Sequence, residues 1–545
     1  MSVDVTLPLS EETITKYYEN GFWGHHTLYD LVRNHANRRP NGRAVTSRHR
    51  TLTWLELLEA VEAFSSDVSA RGIEKGDTIC VSAPNRIETI IALLTASRDG
   101  LICCPSPHKN HTVNEIAEMC RRTSCSIFIH QAGHGADSSG DEILKQINHF
   151  SFLKHVYCLS QPSAAAPFEG NLENKAVFVR PEGHPDLVSY LAFTSGSTGK
   201  PKGVMHTDNT QLVAARGIVS AWRLGEGIIT CSLSPFSHNL GCGTLWTSIV
   251  CGGEFVIHDW PRDEGLLENL RAANVNYLVG VPTHAIDLLQ ELERKKITYY
   301  DQLISFRVSA AACPPHIAEK LYDLGIPVQK GYGMTETNGH QHGLPGDSRL
   351  IVSRTSGVCC PGHQLEIFDP DEPDQVLDSG KVGLVGCKGA SLMRGYFLDA
   401  DATEDSLNSS GWFLTGDLGR IDENGYLFLS GRTKDLIVRG GHNINPILLE
   451  QFASLHPAID LVAAIPLADD RLGERACLVI RLTEGHSISG KEILKHLAEQ
   501  GLSRFDMPEY WLRMDDLPLI PNGKMDKQQI LQQVNKGLLS PESIR

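Results

Sequence analysis

The chain has 545 residues, more than a single hydrophobic core normally accommodates, so at least two domains are expected. Hydrophobic residues make up 41% and charged residues 21%, a composition typical of globular proteins that excludes collagen-like and extensively disordered chains. The formal net charge is -15 and no block of basic residues is present, which argues against nucleic acid as a partner.

The N-terminal residues and the cysteines predict the compartment. Residues 1–23 carry acidic side chains where a signal peptide needs a basic start, and no apolar run reaches the roughly 18 residues of a membrane span. The 14 cysteines lack the CxxC spacing of zinc and redox sites. We therefore expect a cytoplasmic protein without a transmembrane segment, whose thiols are reduced and mostly buried.

The first half of the chain alternates between strand and helix patterns. Residues 53–72 place apolar side chains at helical spacing and end at Gly72, which predicts a helix. The segments "TICVSAP", "NRIETIIALLTASRDG" and "LICCPSP", which together span residues 78–107, predict a strand, a helix and a strand. Such a βαβ unit is typical of a parallel sheet, and similar alternation continues to about residue 330.

A glycine-rich loop, "TSGSTGKPKG" (194–203), lies between a predicted buried strand at 187–193 and a helix that begins near Thr207. Its glycines allow the backbone N–H groups to turn inward, and its hydroxyls and lysines add further donors and positive charge, which suits a phosphate. A surface turn would explain the glycines but not the hydroxyls and lysines. The spacing fits neither the Walker loop nor the dinucleotide fingerprint.

The order of predicted strands and helices changes near residue 430. The segments "LVAAIPL" (461–467) and "ACLVIRL" (476–482) predict strands, and "GKEILKHLAEQG" (490–501) predicts a helix. The sequence therefore predicts an α/β fold with a large N-terminal domain of parallel and mixed sheets flanked by helices, residues 1–433. A small, mobile α+β domain is expected to follow at residues 434–545.

Four further segments follow the glycine-rich loop in a fixed order: "GYGMTET" (331–337), "FLTGDLG" (413–419), "GRTKDLIVRGG" (431–441) and "PLIPNGKMDK" (518–527). Together with the loop they resemble the core motifs of the adenylate-forming superfamily. That superfamily includes acyl- and aryl-CoA synthetases, adenylation domains of peptide synthetases and luciferases. The resemblance covers nearly the whole chain.

The resemblance implies an enzyme that uses ATP, Mg²⁺ and CoA. Such an enzyme activates a small or medium carboxylic acid to an acyl-adenylate, releases pyrophosphate and transfers the acyl group to CoA. The alternative is an aryl-acid adenylating enzyme that loads the phosphopantetheine of a carrier protein. A binding protein of the same fold would be expected to lose Glu336, Asp417 or Lys524, and this chain keeps all three.

The nucleotide site is predicted from both the residue types and the resemblance. Tyr332 offers a flat face for adenine, Asp417 can accept hydrogen bonds from the ribose, and Arg432 can brace the ribose and the α-phosphate. The full set expected to bind ATP and AMP is Thr194, Ser195, Gly196, Ser197, Thr198, Gly199, Lys200, Tyr332, Gly333, Asp417 and Arg432.

Four residues are expected to take part in the chemistry. Thr335 offers a hydroxyl to a phosphate oxygen and Glu336 a hard oxygen ligand to Mg²⁺. The resemblance assigns Lys524 the stabilisation of charge between the carboxylate and the α-phosphate, and it places His238 beside the acyl group. For His238, a satisfied core histidine is the alternative, and a solvated turn lysine is the alternative for Lys524.

The resemblance also implies motion and a thiol site. The pivot of the C-terminal domain matches Asp435, and the pantetheine arm would approach Gly440 and Gly441, with Arg439 meeting a CoA phosphate. The chain departs from many relatives at Leu448, where they carry a carboxylate, but it keeps the second acid of that segment as Glu450.

The acid pocket is expected to contain five residues: His238, Asn239, Ala310, Ala311 and Gly331. The His-Asn pair resembles that of dihydroxybenzoate and salicylate adenylating enzymes, whereas the segments around residues 331–343 and 438–446 are more similar to short- and medium-chain acyl-CoA synthetases. The small apolar wall at 309–315 favours a nonpolar acid. The HxH of His340 and His342 lacks a third ligand and is weak evidence for a metal site.

Overall fold

The computed structural model describes residues 9–172, 181–194, 201–261, 264–518 and 525–544. Within these ranges helices and strands alternate, as the sequence predicts. The helices are α1 (Glu11–Glu19), α2 (Leu28–Arg38), α3 (Trp54–Ala70), α4 (Ile87–Asp99), α5 (Val113–Arg122), α6 (Glu142–Ile147), α7 (Asp208–Ala221), α8 (Asn239–Cys251), α9 (Leu266–Ala272), α10 (Pro282–Arg294), α11 (Pro315–Asp323), α12 (Arg349–Arg354), α13 (Ala400–Glu404), α14 (Pro446–Ala453), α15 (Gly490–Glu499) and α16 (Lys527–Asn535).

The strands are β1 (Arg43–Thr46), β2 (Thr51–Thr53), β3 (Thr78–Ser82), β4 (Ile102–Cys104), β5 (Ile127–Gln131), β6 (His155–Leu159), β7 (Val188–Thr194), β8 (Lys202–Thr207), β9 (Ile229–Ser232), β10 (Glu254–Ile257), β11 (Tyr277–Gly280), β12 (Ser305–Val308), β13 (Val328–Met334), β14 (Asn338–His342), β15 (Val358–Cys359), β16 (His363–Phe368), β17 (Gly383–Gly389), β18 (Phe413–Ile421), β19 (Leu427–Arg432), β20 (Ile437–Arg439), β21 (His442–Ile444), β22 (Ile459–Asp469), β23 (Gly473–Leu482), β24 (Tyr510–Arg513) and β25 (Glu542–Ser543). A short 3-10 turn spans Thr433–Asp435.

The predicted βαβ unit forms the centre of a six-stranded sheet with the order β6-β5-β3-β4-β7-β8. β3 and β4 pair in parallel, with Ile79 opposite Cys103, so the prediction of a parallel sheet is confirmed. Only β8 runs antiparallel to its neighbour. The connecting helix α4 is buried from Ile87 to Arg98, because it shares one core with α2, α3 and strands of both large sheets.

The second large sheet has nine strands in the order β15-β14-β13-β12-β11-β9-β10-β1-β2. Its central strands are parallel, while β2, β14 and β15 pair antiparallel at the two edges. The carboxyl ends of parallel strands meet at one edge of a sheet, where open α/β folds usually place their ligands. β11 and β12 end at such an edge, where Gly280 lies opposite Val308, and β13 passes the same edge and continues to Met334.

Two smaller sheets complete the fold. β16 to β19 form an antiparallel sheet in which Asp417 lies directly opposite Arg432. β20 to β25 form a mixed sheet that packs with α14, α15 and α16 around clusters built from residues 437–544. The observed architecture confirms the predicted α/β fold class, with large helix-flanked sheets and a smaller α+β unit at the C-terminal side.

The thiols agree with the expectation from composition. All 14 cysteines are free, and most are buried. The sulfur atoms of Cys80, Cys120 and Cys125 lie within 4.8 Å of one another in the core below the six-stranded sheet. Across the described ranges, no helix combines the length and the apolar character needed to cross a membrane.

Candidate active site

A cavity of about 2420 Å³ lies at the carboxyl ends of β11, β12 and β13. Its other sides are formed by the antiparallel sheet of β16 to β19 and by the C-terminal sheet of β20 to β25. Helices α7 and α8 form its inner wall. The predicted site residues that line it are Thr194, His238, Asn239, Ala310, Ala311, Gly331, Tyr332, Gly333, Thr335, Glu336, Asp417, Arg432 and Asp435. Segments that are far apart in the chain therefore contribute to one cavity.

Three of the predicted nucleotide residues are in direct contact. The Tyr332 hydroxyl donates to Asp417 Oδ2 at 2.6 Å, and Arg432 Nε donates to Asp417 Oδ1 at 2.7 Å. Burial and the Asp417 carboxylate raise the pKa of Tyr332 well above its usual range, so its hydroxyl remains a donor. Burial alone would lower the pKa of Arg432, but Asp417 and Asp435 outweigh it and the pKa is raised.

The predicted metal ligand lies in the turn between β13 and β14. Glu336 is 8% exposed, and its Oε1 accepts a hydrogen bond from the Tyr396 hydroxyl at 2.9 Å. Burial raises the pKa of the Glu336 carboxyl, whereas Lys202 and Arg432 lower it. A cation at this carboxylate would favour the ionised form.

Thr335 is positioned by a histidine that sequence reasoning missed. His206 Nε2 donates to the carbonyl oxygen of Thr335 at 2.7 Å, and His206 Nδ1 is 3.0 Å from the Thr210 hydroxyl. Burial lowers the pKa of His206 to about 4, so the ring is neutral and one nitrogen can donate while the other accepts. The backbone of the turn is thereby fixed to the start of α7.

Gly333 allows β13 and β14 to approach closely. A Cβ atom at Gly333 would lie 1.8 Å from the carbonyl oxygen of Asn338, closer than any real contact. We predict that Gly333→Ala displaces this hairpin and lowers the free energy of unfolding by about 2 kcal/mol or more.

Thermal unfolding measures this effect, and Gly225→Ala is the matched control because a Cβ there meets nothing within 4 Å. Equal melting temperatures for the Gly333→Ala and Gly225→Ala proteins would contradict the predicted clash.

The ends of the glycine-rich loop are held by the β7–β8 pair. Thr194 lies opposite Lys202 in this pair, and the ammonium of Lys202 is 4.7 Å from the centre of the Tyr396 ring. The predicted residues Ser195, Gly196, Ser197, Thr198, Gly199, Lys200 and Lys524 lie outside the described residues.

The predicted acid pocket adjoins the nucleotide residues. Asn239 begins α8, and its Nδ2 donates to Asn338 Oδ1 at 2.8 Å. Ala310 has φ = 68°, in the left-handed region that favours glycine, at the turn after β12. Sequence reasoning missed His108, whose ring centre is 5.5 Å from that of His238. Burial, and then the charge of His238, lower the pKa of His108 to about 3.

His340 and His342 behave as core residues. Both are fully buried, and burial lowers their pKa values to about 3 and about 4. Within the described chain, the sole group of three or more candidate metal-binding side chains in reach of one another is the cysteine cluster of the core. The HxH sequence is therefore accounted for by burial beside β13.

The C-terminal residues fall into two groups. Asp435, Glu450 and residues 525–528 line the cavity, and Lys527 pairs with Glu450 at 2.5 Å. Arg439, Gly440 and Gly441, the predicted CoA residues, do not line it. The guanidinium of Arg439 pairs with the buried Glu509 and donates to two backbone carbonyls of the segment that precedes β24, so a CoA phosphate at Arg439 stays a prediction.

A family profile described as "AMP-binding enzyme" matches residues 32–397. The chain is 26% identical over 536 residues to the medium-chain fatty-acid–CoA ligase of Escherichia coli (strain K12), with 96% of this chain and 94% of that protein covered. It is 25% identical over 546 residues to the vibriobactin-specific 2,3-dihydroxybenzoate-AMP ligase of Vibrio cholerae serotype O1, covering 97% and 98%. ATP-bound MatB from Rhodopseudomonas palustris shares the fold with a TM-score of 0.83 at 23% identity, over 94% of this chain and 100% of that one.

Proposed function

Because the chain belongs to the AMP-binding enzyme family, we propose that it activates a small or medium carboxylic acid with ATP and transfers the acyl group to CoA. One arrangement supports this most strongly. Asp417, bonded to Tyr332 and Arg432, lines the same cavity as the buried carboxylate of Glu336. A ribose-binding carboxylate and a second carboxylate suited to a phosphate-bound cation are what adenylation requires.

In the first half-reaction, a carboxylate oxygen of the acid attacks the α-phosphorus of ATP. The bond between the α-phosphorus and the oxygen that bridges to the β-phosphate breaks, and pyrophosphate leaves. In the second half-reaction the thiol attacks the acyl carbonyl, loses its proton, and AMP leaves with the electron pair of the acyl-oxygen bond. Both steps need positioning and charge neutralisation more than covalent chemistry by the protein.

The residues of this chain have distinct roles in the proposal. Tyr332, Asp417 and Arg432 bind the adenosine and the α-phosphate, and the loop at 194–200 holds the departing phosphates. His238 and Asn239 border the acid beside Ala310, Ala311 and Gly331. Glu336, with one oxygen bonded to Tyr396, fits the hard-oxygen preference of Mg²⁺, which would neutralise phosphate charge when bound. Lys524 stabilises charge between the carboxylate and the α-phosphate.

A carrier-protein phosphopantetheine is the second candidate acceptor. In this case the protein is an aryl-acid adenylating enzyme that loads a carrier protein. The relative named as a 2,3-dihydroxybenzoate-AMP ligase supports the aryl acid, as does Asn239, whose buried Oδ1 accepts no hydrogen bond from the described protein groups and could meet a ring hydroxyl. The two acceptors share the first half-reaction and the cavity. They differ in whether free CoA or a carrier protein must approach the C-terminal sheet.

The test measures pyrophosphate release by the protein with each of a panel of linear, alicyclic and aromatic acids, in the presence of ATP and Mg²⁺. CoA and a phosphopantetheinylated carrier protein are added in separate arms. We expect pyrophosphate release with a small acid, and acyl-CoA as the product of the CoA arm. Turnover to a stable adenylate that CoA does not discharge would contradict the ligase, and thioester on the carrier would favour the second candidate.

We also propose that residues 434–545 move between the half-reactions about Asp435. Residues 525–528 line the cavity while Arg439, Gly440 and Gly441 do not, which is the arrangement expected for adenylation; thiol transfer would need the second group to approach. We predict that Asp435→Pro spares one half-reaction and impairs the other, because proline fixes φ near −65°.

The measurement compares adenylate formation with thioester formation from supplied acyl-adenylate. Asp435→Ala is the control, since it removes the carboxylate and leaves the backbone free to rotate. Equal loss of both half-reactions in the proline variant would argue against a hinge at this position.

A further inference from the structure

The lining of the cavity includes a buried arginine that the sequence did not single out. Arg307 is the third residue of β12, where Phe306 and Val308 pack into the core with α10 and α11. Side chains alternate along a strand, so Arg307 lies on the opposite face, next to Val279 of β11. It is 5% exposed and lines the cavity.

The charge of Arg307 has no counter-charge among the described residues. Its Nε and Nη1 are buried without a hydrogen-bond acceptor, and no carboxylate oxygen lies within ion-pair distance in that part of the chain. The Tyr277 hydroxyl is a neutral hydrogen-bond partner of the guanidinium, and the charge of Arg307 also acts on His342 and Cys360. Burial raises the pKa of Tyr277 to about 12 and of Cys360 to about 12, and lowers that of His342 to about 4, so all three are neutral near pH 7.

Two glycines leave room for the guanidinium at the pocket predicted for the acid. A Cβ at Gly331 would lie 2.9 Å from Arg307 Nη2, and a Cβ at Gly339 would lie 2.6 Å from it. The carbonyl of Gly331 accepts a hydrogen bond from the Ser309 hydroxyl at 2.9 Å. The guanidinium thus lies beside the hairpin whose Asn338 is bonded to Asn239, the residue predicted to border the acid.

An unpaired buried charge costs folding free energy unless a ligand compensates it. A planar guanidinium whose Nε and Nη1 lack an acceptor among the described residues suits a carboxylate, one of the anions that arginine binds best. Gln211 of α7 adds a second unused donor to the lining of the cavity, because its buried Nε2 meets no acceptor in the described structure. The wall at 309–315, which by itself favours a nonpolar acid, is thus only one side of the pocket.

We infer that the acid substrate carries a second carboxylate, remote from the one that is adenylated, and that Arg307 binds it at the inner end of the acid pocket. This inference rests on the proposed function and narrows its substrate to dicarboxylic acids. Arg307 pairs with the carboxylate that does not react. Its contribution to kcat/KM should therefore differ between diacids and monoacids.

The experiment measures kcat/KM for pyrophosphate release with carbon-matched pairs: butyrate and succinate, pentanoate and glutarate, hexanoate and adipate, 2-methylbenzoate and phthalate. Monomethyl adipate is added as an uncharged match for the second carboxylate. We expect at least one diacid to exceed its monoacid by about 30-fold or more, the range of charge-assisted hydrogen bonds. Arg307→Gln should abolish this preference, whereas Arg354→Gln, at an exposed arginine of the cavity rim, should keep it.

A monoacid that equals or exceeds its diacid in every pair would overturn the inference, and so would an Arg307→Gln enzyme that loses activity equally with both members. The melting temperature of Arg307→Gln is the second readout. Removing an unpaired buried charge should leave it unchanged or raise it, whereas a structural role for Arg307 would lower it together with turnover of every acid.

Binding without ATP separates this inference from the proposed function. We expect adipate, phthalate or another diacid of the panel to raise the melting temperature of the natural protein but not that of Arg307→Gln, and monomethyl adipate to have little effect. If no acid yields pyrophosphate but this difference persists, the carboxylate site stands and the proposed reaction fails. If neither pyrophosphate nor the shift is seen, both are wrong.

Discussion

Lys524→Ala is expected to abolish acyl-adenylate formation, with a loss of about 100-fold or more, and to leave the thioester half-reaction from supplied acyl-adenylate largely intact. The reason is electrostatic. Charge builds up between the attacking carboxylate and the α-phosphate only in the first half-reaction, and an ammonium placed there stabilises that transition state. Lys524 directly precedes residues 525–528, which line the cavity in this arrangement of the chain.

The two half-reactions are measured separately, as pyrophosphate release and as thioester formation. Lys536→Ala is a suitable control, because it removes a lysine of the same C-terminal region from an exposed position after α16. Normal pyrophosphate release by the Lys524→Ala enzyme would remove this residue from the proposed mechanism. Loss of thioester formation to the same extent would indicate a structural role instead.

Local patterns predicted much of the fold. The strand, helix and strand at residues 78–104 appear with the predicted parallel pairing, and α7 begins directly after Thr207, near the predicted start of this helix. Apolar periodicity and capping act over a few residues, so a sequence displays them directly. The order of the strands in the nine-stranded sheet depends on packing between distant segments, which no local pattern records.

The candidate active site likewise combines residues that local motifs predict with residues that only the folded structure reveals. Tyr332, Asp417 and Arg432 belong to motifs and were predicted as neighbours of one nucleotide, but their direct hydrogen bonds were not. Arg307 and His206 stand in no motif. Arg307 occurs within a strand of otherwise ordinary composition, and only its burial without a counter-charge distinguishes it from a surface arginine. This burial can be seen in the structure but not in the sequence.

Asp417→Ala is expected to impair both folding stability and the use of ATP. The substitution removes the acceptor of the buried Tyr332 hydroxyl and the partner of the partly exposed Arg432. We expect the free energy of unfolding to fall by about 2 kcal/mol, mostly through the unsatisfied hydroxyl, because solvent screens part of the ion pair. If Asp417 also binds the ribose, kcat/KM for ATP should fall by about 100-fold, since two charge-assisted hydrogen bonds are lost.

Two variants separate the effect on folding stability from the effect on the use of ATP. Asp417→Asn retains an oxygen that can accept from the Tyr332 hydroxyl, so it should recover most of the stability while pyrophosphate release stays low. Asp323→Ala breaks a similar pair with Arg349, 2.9 Å from Nε to Oδ1, at an exposed site that does not line the cavity, and should change neither quantity appreciably. An Asp417→Ala enzyme with lowered stability but an unchanged kcat/KM for ATP would show that this carboxylate holds the cavity together without touching the nucleotide.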